Sequence, residues 1–293
     1  MQVSVKQSHF EVEDHGPRHA PAVLLIPGLG LQLTYWPDEF VQPLLDAGYR
    51  VIRFDNRDAG LSKAFDELRM PNFVWFMIRQ QLGLPARPPY TLQDMADDAR
   101  GILDALGIDA AHVVGISMGG MIAQRLAASA PQRVKSLTSM MSSSGAPRLP
   151  TASREVLKVM RRRPPKEHGK LLDHLTELQL LLASPAAPIA PAEIRRQLEQ
   201  AIERSYRPVG FMRQVLAIAS DLDRAELLAR ITAPTLVIHG RQDPMIPFAC
   251  AEDTQRRIPG ARLVGVEGMG HNLAPGICPQ LADHVLKHLQ ACH

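Results

Sequence analysis

Short apolar runs alternate with segments of helical spacing along most of this chain. Residues 2–14 alternate apolar and polar positions, as one or two edge strands would. Residues 23–26 form a short buried strand that runs into the turn Pro27-Gly28-Leu29-Gly30. Trp36, Phe40, Val41, Leu44 and Leu45 recur at helical spacing, and Gly48 closes that helix. The strand 49–54 then enters the polar loop Asp55-Asn56-Arg57-Asp58-Ala59-Gly60-Leu61-Ser62. Residues 63–90 read as irregular, with an aromatic patch at 73–78 and a proline-rich exit. Thr91 is placed to cap a helix with apolar positions Met95, Ala99, Ile102, Leu103 and Leu106. A strand over 112–116, a helix over about 119–130 and a strand over 134–141 follow.

The alternation then stops. Residues 151–220 hold no strand pattern and read as successive amphipathic helices broken at Pro164-Pro165, Pro185, Pro188, Pro191 and Pro208. Strand logic resumes at 235–239 and 262–266. Strands alternating with helices predict an α/β fold, a mostly parallel sheet covered on both faces. The helical block is expected to be an inserted cap (146–220) over the sheet's carboxyl edge, within a core made of 1–145 and 221–293.

Where one strand meets its helix the chain reads Gly115-Ile116-Ser117-Met118-Gly119. A serine at so sharp a corner stands exposed, and small neighbours let strand and helix pass closely. As a nucleophile it needs a base, a group to orient that base, and donors for an oxyanion. In an open parallel sheet these belong in loops at the strands' carboxyl ends. The loop after 235–239 offers Asp243, its only carboxylate, and the loop after 262–266 offers His271. Asp221 and Asp223 fall instead in the segment returning from the insertion. The expected triad is therefore Ser117, Asp243 and His271, with the backbone N–H groups of Leu29 and Met118 as the oxyanion hole.

At these residues the chain resembles the α/β-hydrolase superfamily. The insertion and the Asp-Asn-Arg-Asp-x-Gly-x-Ser loop look like bacterial carboxylesterases of the aclacinomycin methylesterase and 3-oxoadipate enol-lactonase type. That resemblance implies a sheet of about eight strands and hydrolysis of small to medium, fairly hydrophobic carboxylic esters, methyl esters or lactones among them. It implies no metal or organic cofactor. Two departures stand out: Pro27 replaces the family's usual histidine, and Asp58 replaces a glycine. Asp55 and Arg57 read as an internal brace for their loop. The serine at 117 separates the chain from dehalogenases and epoxide hydrolases, which use aspartate there. The alternatives are a proline iminopeptidase-like amidase, disfavoured by the basic insertion, and a ligand-binding relative without turnover.

Composition narrows the remaining classes. A net charge of +3, with few aromatics, gives no nucleic-acid signature. Cys250, Cys278 and Cys292 are odd in number and lack CxxC spacing, which suits a reducing, cytoplasmic setting. The N-terminus is unlike a signal peptide, and no apolar run approaches a membrane span, so no stable membrane insertion is expected. The expected partner is a small-molecule ester, with a homodimer as the assembly allowed for. His284, His288 and Cys292 share helical spacing but lack a completing carboxylate, and His239 reads as structural. Residues 151–220 carry 12 Lys and Arg against 7 Asp and Glu, read as a solvated face. The patch at 73–78 could line the entrance or dip into lipid. Packing under the insertion, walling an apolar pocket, is the preferred reading.

Overall fold

The computed structural model describes residues 1–82, 84 and 86–292. Its centre is one sheet of eight strands. In chain order these are β1 (Gln2–Val5), β2 (Ser8–His15), β3 (Ala22–Ile26), β4 (Arg50–Phe54), β5 (Ala111–Ile116), β6 (Val134–Met140), β7 (Thr235–Gly240) and β8 (Arg262–Val266). Across the sheet they lie in the order β1-β2-β4-β3-β5-β6-β7-β8. β1 and β2 join antiparallel at one edge, and every pairing from β4 to β8 is parallel. The sheet therefore has the mostly parallel form that the alternating pattern predicts.

The side-chain period of two sorts each central strand between two cores. On β3, Leu24 and Ile26 enter one and Val23 and Leu25 the other. The first face is covered by α3 (Leu92–Ala105) and α4 (Met118–Ser129), through residues such as Met95, Ile102 and Ile122. The second is covered by α1 (Asp38–Asp46) and the C-terminal helix (Cys278–Gln290), through Phe40, Leu44, Leu281 and Val285. Burial of each such side chain is worth roughly 1.5–3 kcal/mol. Thr91 caps α3 as expected, in a reciprocal capping box with Asp94.

After β3 the chain crosses to β4 on one side, and after α3 it returns to β5 on the other. The carboxyl ends of β3 and β5 thus flank the point where strand order reverses, the usual place for a crevice in such sheets. The turns 27–30 and 117–119 both leave from there.

Two expectations for residues 63–90 are corrected. The segment holds a helix, α2 (Phe73–Gln81), whose N-terminus is closed by the Asn72 side chain accepting from Trp75 N–H. The aromatic patch also fails to pack beneath the insertion. Phe76 is buried, but Phe73, Val74, Trp75 and Ile78 face out. Gly83 and Pro85 of the proline-rich exit lie outside the described residues.

Between β6 and β7, among the described residues, there are helices and no strand. They are α5 (Arg154–Met160), α6 (His168–Leu182), α7 (Pro191–Arg204), α8 (Pro208–Ala219) and the single turn α9 (Arg224–Leu227). Pro191 and Pro208 start helices rather than break them, since a first-turn position needs no N–H donor.

Strand and helix pass closely around the β5–α4 turn. A Cβ on Gly119 would stand 2.1 Å from the Ile26 carbonyl oxygen, and one on Gly115 2.2 Å from that of Gly119. Both obstacles are backbone and cannot rotate away. Gly119→Ala is therefore expected to cost about 1–3 kcal/mol of unfolding free energy, read as a lower urea midpoint.

Candidate active site

Ser117 is the residue between β5 and α4, with φ 53° and ψ −121°. This left-handed value is costly for a residue with a Cβ, by about 1–3 kcal/mol. The turn is held by Ser117 N–H donating to the Met140 carbonyl at 2.9 Å and by Ser142 Oγ donating to the Ser117 carbonyl at 2.8 Å. The side chain is thus directed out of the strand-to-helix corner, towards the loop after β8.

His271 comes from that loop. Its Nε2 lies 3.1 Å from Ser117 Oγ and its Nδ1 lies 2.7 Å from Asp243 Oδ2. The carboxylate can only accept from Nδ1, which leaves Nε2 as the acceptor for the serine hydroxyl. The structure therefore brings the three side chains predicted from sequence into one hydrogen-bonded line.

Asp243 is fixed on every side. Its Oδ1 accepts from Met245 N–H and Ile246 N–H, both at 2.8 Å, in the turn that follows β7. Its Oδ2 also faces His239 Nε2 at 3.3 Å. That nitrogen donates to the Ile246 carbonyl at 2.7 Å as well, so both neighbours require the proton on Nε2. Burial pushes the Asp243 carboxyl up. The hydrogen bonds and the charge of the two histidines outweigh burial and hold the carboxyl well below the usual carboxylate range. His239 is thus a buried partner of the acid. The sequence showed only a histidine at a strand end, and only its four-residue spacing to Asp243 could have hinted at contact.

The turn after β3 packs against the serine. A Cβ on Gly28 would lie 3.3 Å from Ser117 Cβ. Among the described residues, neither Leu29 N–H nor Met118 N–H has a protein acceptor, so both are free to serve a ligand. The neighbouring Gly30 N–H is taken, donating to Gln214 Oε1 at 2.8 Å. Gln214 is fully buried on α8, and its Nε2 donates to the Arg57 carbonyl at 2.8 Å. One side chain of the helical insertion therefore ties the turn after β3 to the loop after β4. Sequence reasoning missed it, because 184 residues separate Gln214 from Gly30.

The insertion is attached on the other side too. His271 N–H donates to the Leu182 carbonyl at 2.8 Å and Gly270 N–H to Ser184 Oγ at 2.9 Å. Ser184 Oγ then donates to Asn272 Oδ1 at 2.6 Å. Asp221, at the return of the insertion, is held by Arg125 Nε of α4 at 2.7 Å and by Arg224, so it is committed elsewhere.

The loop after β4 shows why Asp58 replaces glycine. Asp58 has φ 63°, a conformation that favours glycine, yet its carboxylate is fully used. Oδ1 accepts from Phe65 N–H and Arg213 Nη1, each at 2.8 Å, and Oδ2 accepts from Tyr90 OH at 2.9 Å. Burial and the adjacent carboxylate push the Tyr90 phenol up, keeping it a donor. Asp55 and Arg57 do not pair with each other. Asp55 accepts from Leu33 N–H at 2.7 Å and Leu61 N–H at 2.8 Å, whereas Arg57 binds Asp98 and the Asp94 carbonyl. No group of three metal-ligating side chains occurs among the described residues, at His288 and Cys292 or elsewhere.

Known proteins resemble this chain over most of its length. Rhodomycin D methylesterase DauP from Streptomyces sp. (strain C5) is 34% identical over 94% of this chain and 92% of its own length. Rhodomycin D methylesterase DnrP from Streptomyces peucetius is 33% identical, with the same shares covered. Among solved structures, the enol-lactonase from Burkholderia xenovorans LB400 superposes with a TM-score of 0.71. It covers 99% of this chain and 100% of its own at 22% identity, a likeness of fold. The pattern of the alpha/beta hydrolase fold family matches residues 21–274. The chain belongs to the α/β-hydrolase fold family.

Proposed function

We propose that the protein is a carboxylic ester hydrolase acting through an acyl-enzyme on Ser117. The observation that carries this reading is the unbroken line from Ser117 Oγ through His271 to Asp243, at 3.1 and 2.7 Å. In the first half-reaction His271 Nε2 takes the Ser117 proton as Oγ attacks the ester carbonyl. The tetrahedral oxyanion is received by Leu29 N–H and Met118 N–H. Collapse breaks the bond to the alkoxy oxygen, which leaves with the proton from His271, and the acyl group stays on Ser117. In the second half His271 removes a proton from water as it attacks the acyl-enzyme, and collapse breaks the bond to Ser117 Oγ, which takes the proton back from His271 as the carboxylic acid departs. Asp243 keeps the imidazole in the tautomer each step needs and stabilises its charged form.

The two methylesterase relatives favour a methyl ester as substrate. Phe211 of α8, close against Gly30, gives the approach to Leu29 an apolar wall, which suits a hydrophobic acyl part. Residues 146–220 act as a cap, tied by Ser184 to the loop of the base and by Gln214 to the oxyanion loop.

Labelling with a fluorophosphonate, followed by peptide mapping, tests the nucleophile. One adduct on Ser117 is expected, and Ser117→Ala should remain folded while nitrophenyl and methyl ester turnover falls by several orders of magnitude. An adduct at another residue, or turnover surviving in purified Ser117→Ala, rejects the mechanism.

Asp243→Asn should present the wrong imidazole tautomer and lower kcat on the order of 10⁴-fold. The depressed Asp243 carboxyl also has a stability signature. Its contribution is fully present above the unfolded value of about 3.9 and is lost as pH falls through the lower folded value. The unfolding free-energy difference between wild type and Asp243→Asn should therefore shrink as pH falls below about 4. Urea titrations at graded pH measure it.

Gln214→Leu removes the acceptor of Gly30 N–H without touching the triad. It should lower kcat by about tenfold or more with a smaller change in KM. A boronate transition-state analogue should lose affinity in parallel with kcat/KM.

A further inference from the structure

Helix α2 leaves most of its large apolar side chains exposed. Val74 is 65% exposed, Trp75 64% and Leu82 67%, and Phe73, Ile78 and Leu84 are also exposed. At 3.6 residues per turn, Val74, Trp75, Ile78 and Leu82 fall on one side of the helix axis, and the buried Phe76 lies outside that arc. Scattered apolar residues on a surface are ordinary, but four on one side of a short helix and its C-cap are a concentration of the kind that binding surfaces carry.

Charge identifies the occupant. The segment 55–90 that leaves β4 contains five Lys and Arg against four Asp and Glu, with no carboxylate after Glu67. With residues 151–220 it makes a set of 17 Lys and Arg against 11 Asp and Glu, while the rest of the chain has 16 against 19. Both segments leave the carboxyl ends of parallel strands, α2 after β4 and the insertion after β6, so the basic excess gathers on the edge that bears the apolar helix. Arg69 and Arg87 are exposed on either side of α2. Two copies of this chain meeting through that face would bring like charges together. A surface of anionic headgroups over acyl chains would match both the charge and the apolar arc.

We propose that α2 docks this edge of the protein on an anionic lipid surface. The helix lies in the plane of the interface, with Val74, Trp75, Ile78 and Leu82 entering the acyl boundary and Arg69 and Arg87 meeting lipid phosphates. Docking is peripheral: nine residues of helix span about 14 Å, well short of a hydrocarbon core. It places the carboxyl edge, and with it the crevice between β3 and β5, towards the membrane. An apolar ester dissolved in lipid would then reach the site without crossing bulk water. The docking depends on α2 and the charge distribution and is independent of the chemistry proposed for Ser117.

The full chain is mixed with vesicles of phosphatidylcholine alone and of phosphatidylcholine with phosphatidylglycerol, and binding is followed by sedimentation and tryptophan emission. Trp36 is buried, so a change in emission reports Trp75. Binding to the anionic vesicles is expected, with a blue shift, weakening as salt is raised. The paired changes Val74→Ser and Trp75→Ser should lower the partition coefficient about tenfold or more, and Arg69→Ala with Arg87→Ala should reduce its salt dependence. All four positions are exposed, so the urea midpoint of each variant should match wild type, which keeps a loss of binding from being a loss of folding. No binding to anionic vesicles, binding unchanged in the Val74 and Trp75 variant, or unshifted Trp75 emission overturns the proposal. So does a wild-type dimer that this variant dissociates, since a second copy would then be the occupant.

Discussion

The turn at Ser117 is the constraint on which the rest of the site depends. It combines a left-handed backbone at a residue with a Cβ and near-contact between α4 and the end of β3. Neither is favourable locally. The sheet stabilises both, because β3 and β5 are paired in register and buried on both faces, which leaves the turn nowhere to relax. The same closeness puts Gly28 against Ser117, so the Ser117 side chain and the turn that carries Leu29 are held together.

Two of the contacts that anchor the helical segment between β6 and β7 to the sheet's loops are the Leu182–Ser184 region at the His271 loop and Gln214 at the turn after β3. Each contact satisfies a backbone N–H in a loop that has no strand partner to satisfy it. A third attachment, Arg213 to Asp58, is an ion pair with both side chains almost fully buried. Such a pair gives little net stability after desolvation, yet removing one partner would leave the other charged and buried. Its consequence is positional: α8 stays on the loop after β4, where Gly210 lets it approach the Asp58 carbonyl.

Electrostatics divides the molecule in the same way. Around Ser117 and His271, charge is closely paired, with every acceptor of Asp243 occupied. Further out on the same edge, basic residues are in excess and sit beside an uncovered apolar helix. The buried carboxylate holds two imidazoles in place, whereas the outer charge acts at a distance and is open to screening by salt.

What the sequence determined by itself is whatever local period and chain order encode. The apolar runs located the parallel strands, the alternation of helix and strand gave the layered architecture, and the order of loops after strands singled out Ser117, Asp243 and His271. Pairwise contacts over long separations were not legible. Asp58 looked like a departure until Arg213 and Tyr90 were seen to use it, and Gln214 carried no signal at all. The patch at 73–78 misled because apolar side chains in a sequence suggest burial. Whether a helix is covered depends on neighbouring surface, which tertiary packing decides. The sequence thus named three side chains that meet in the fold, and the folded chain decided which others hold them in place, because positioning acts through hydrogen bonds between segments whose proximity only the sheet creates.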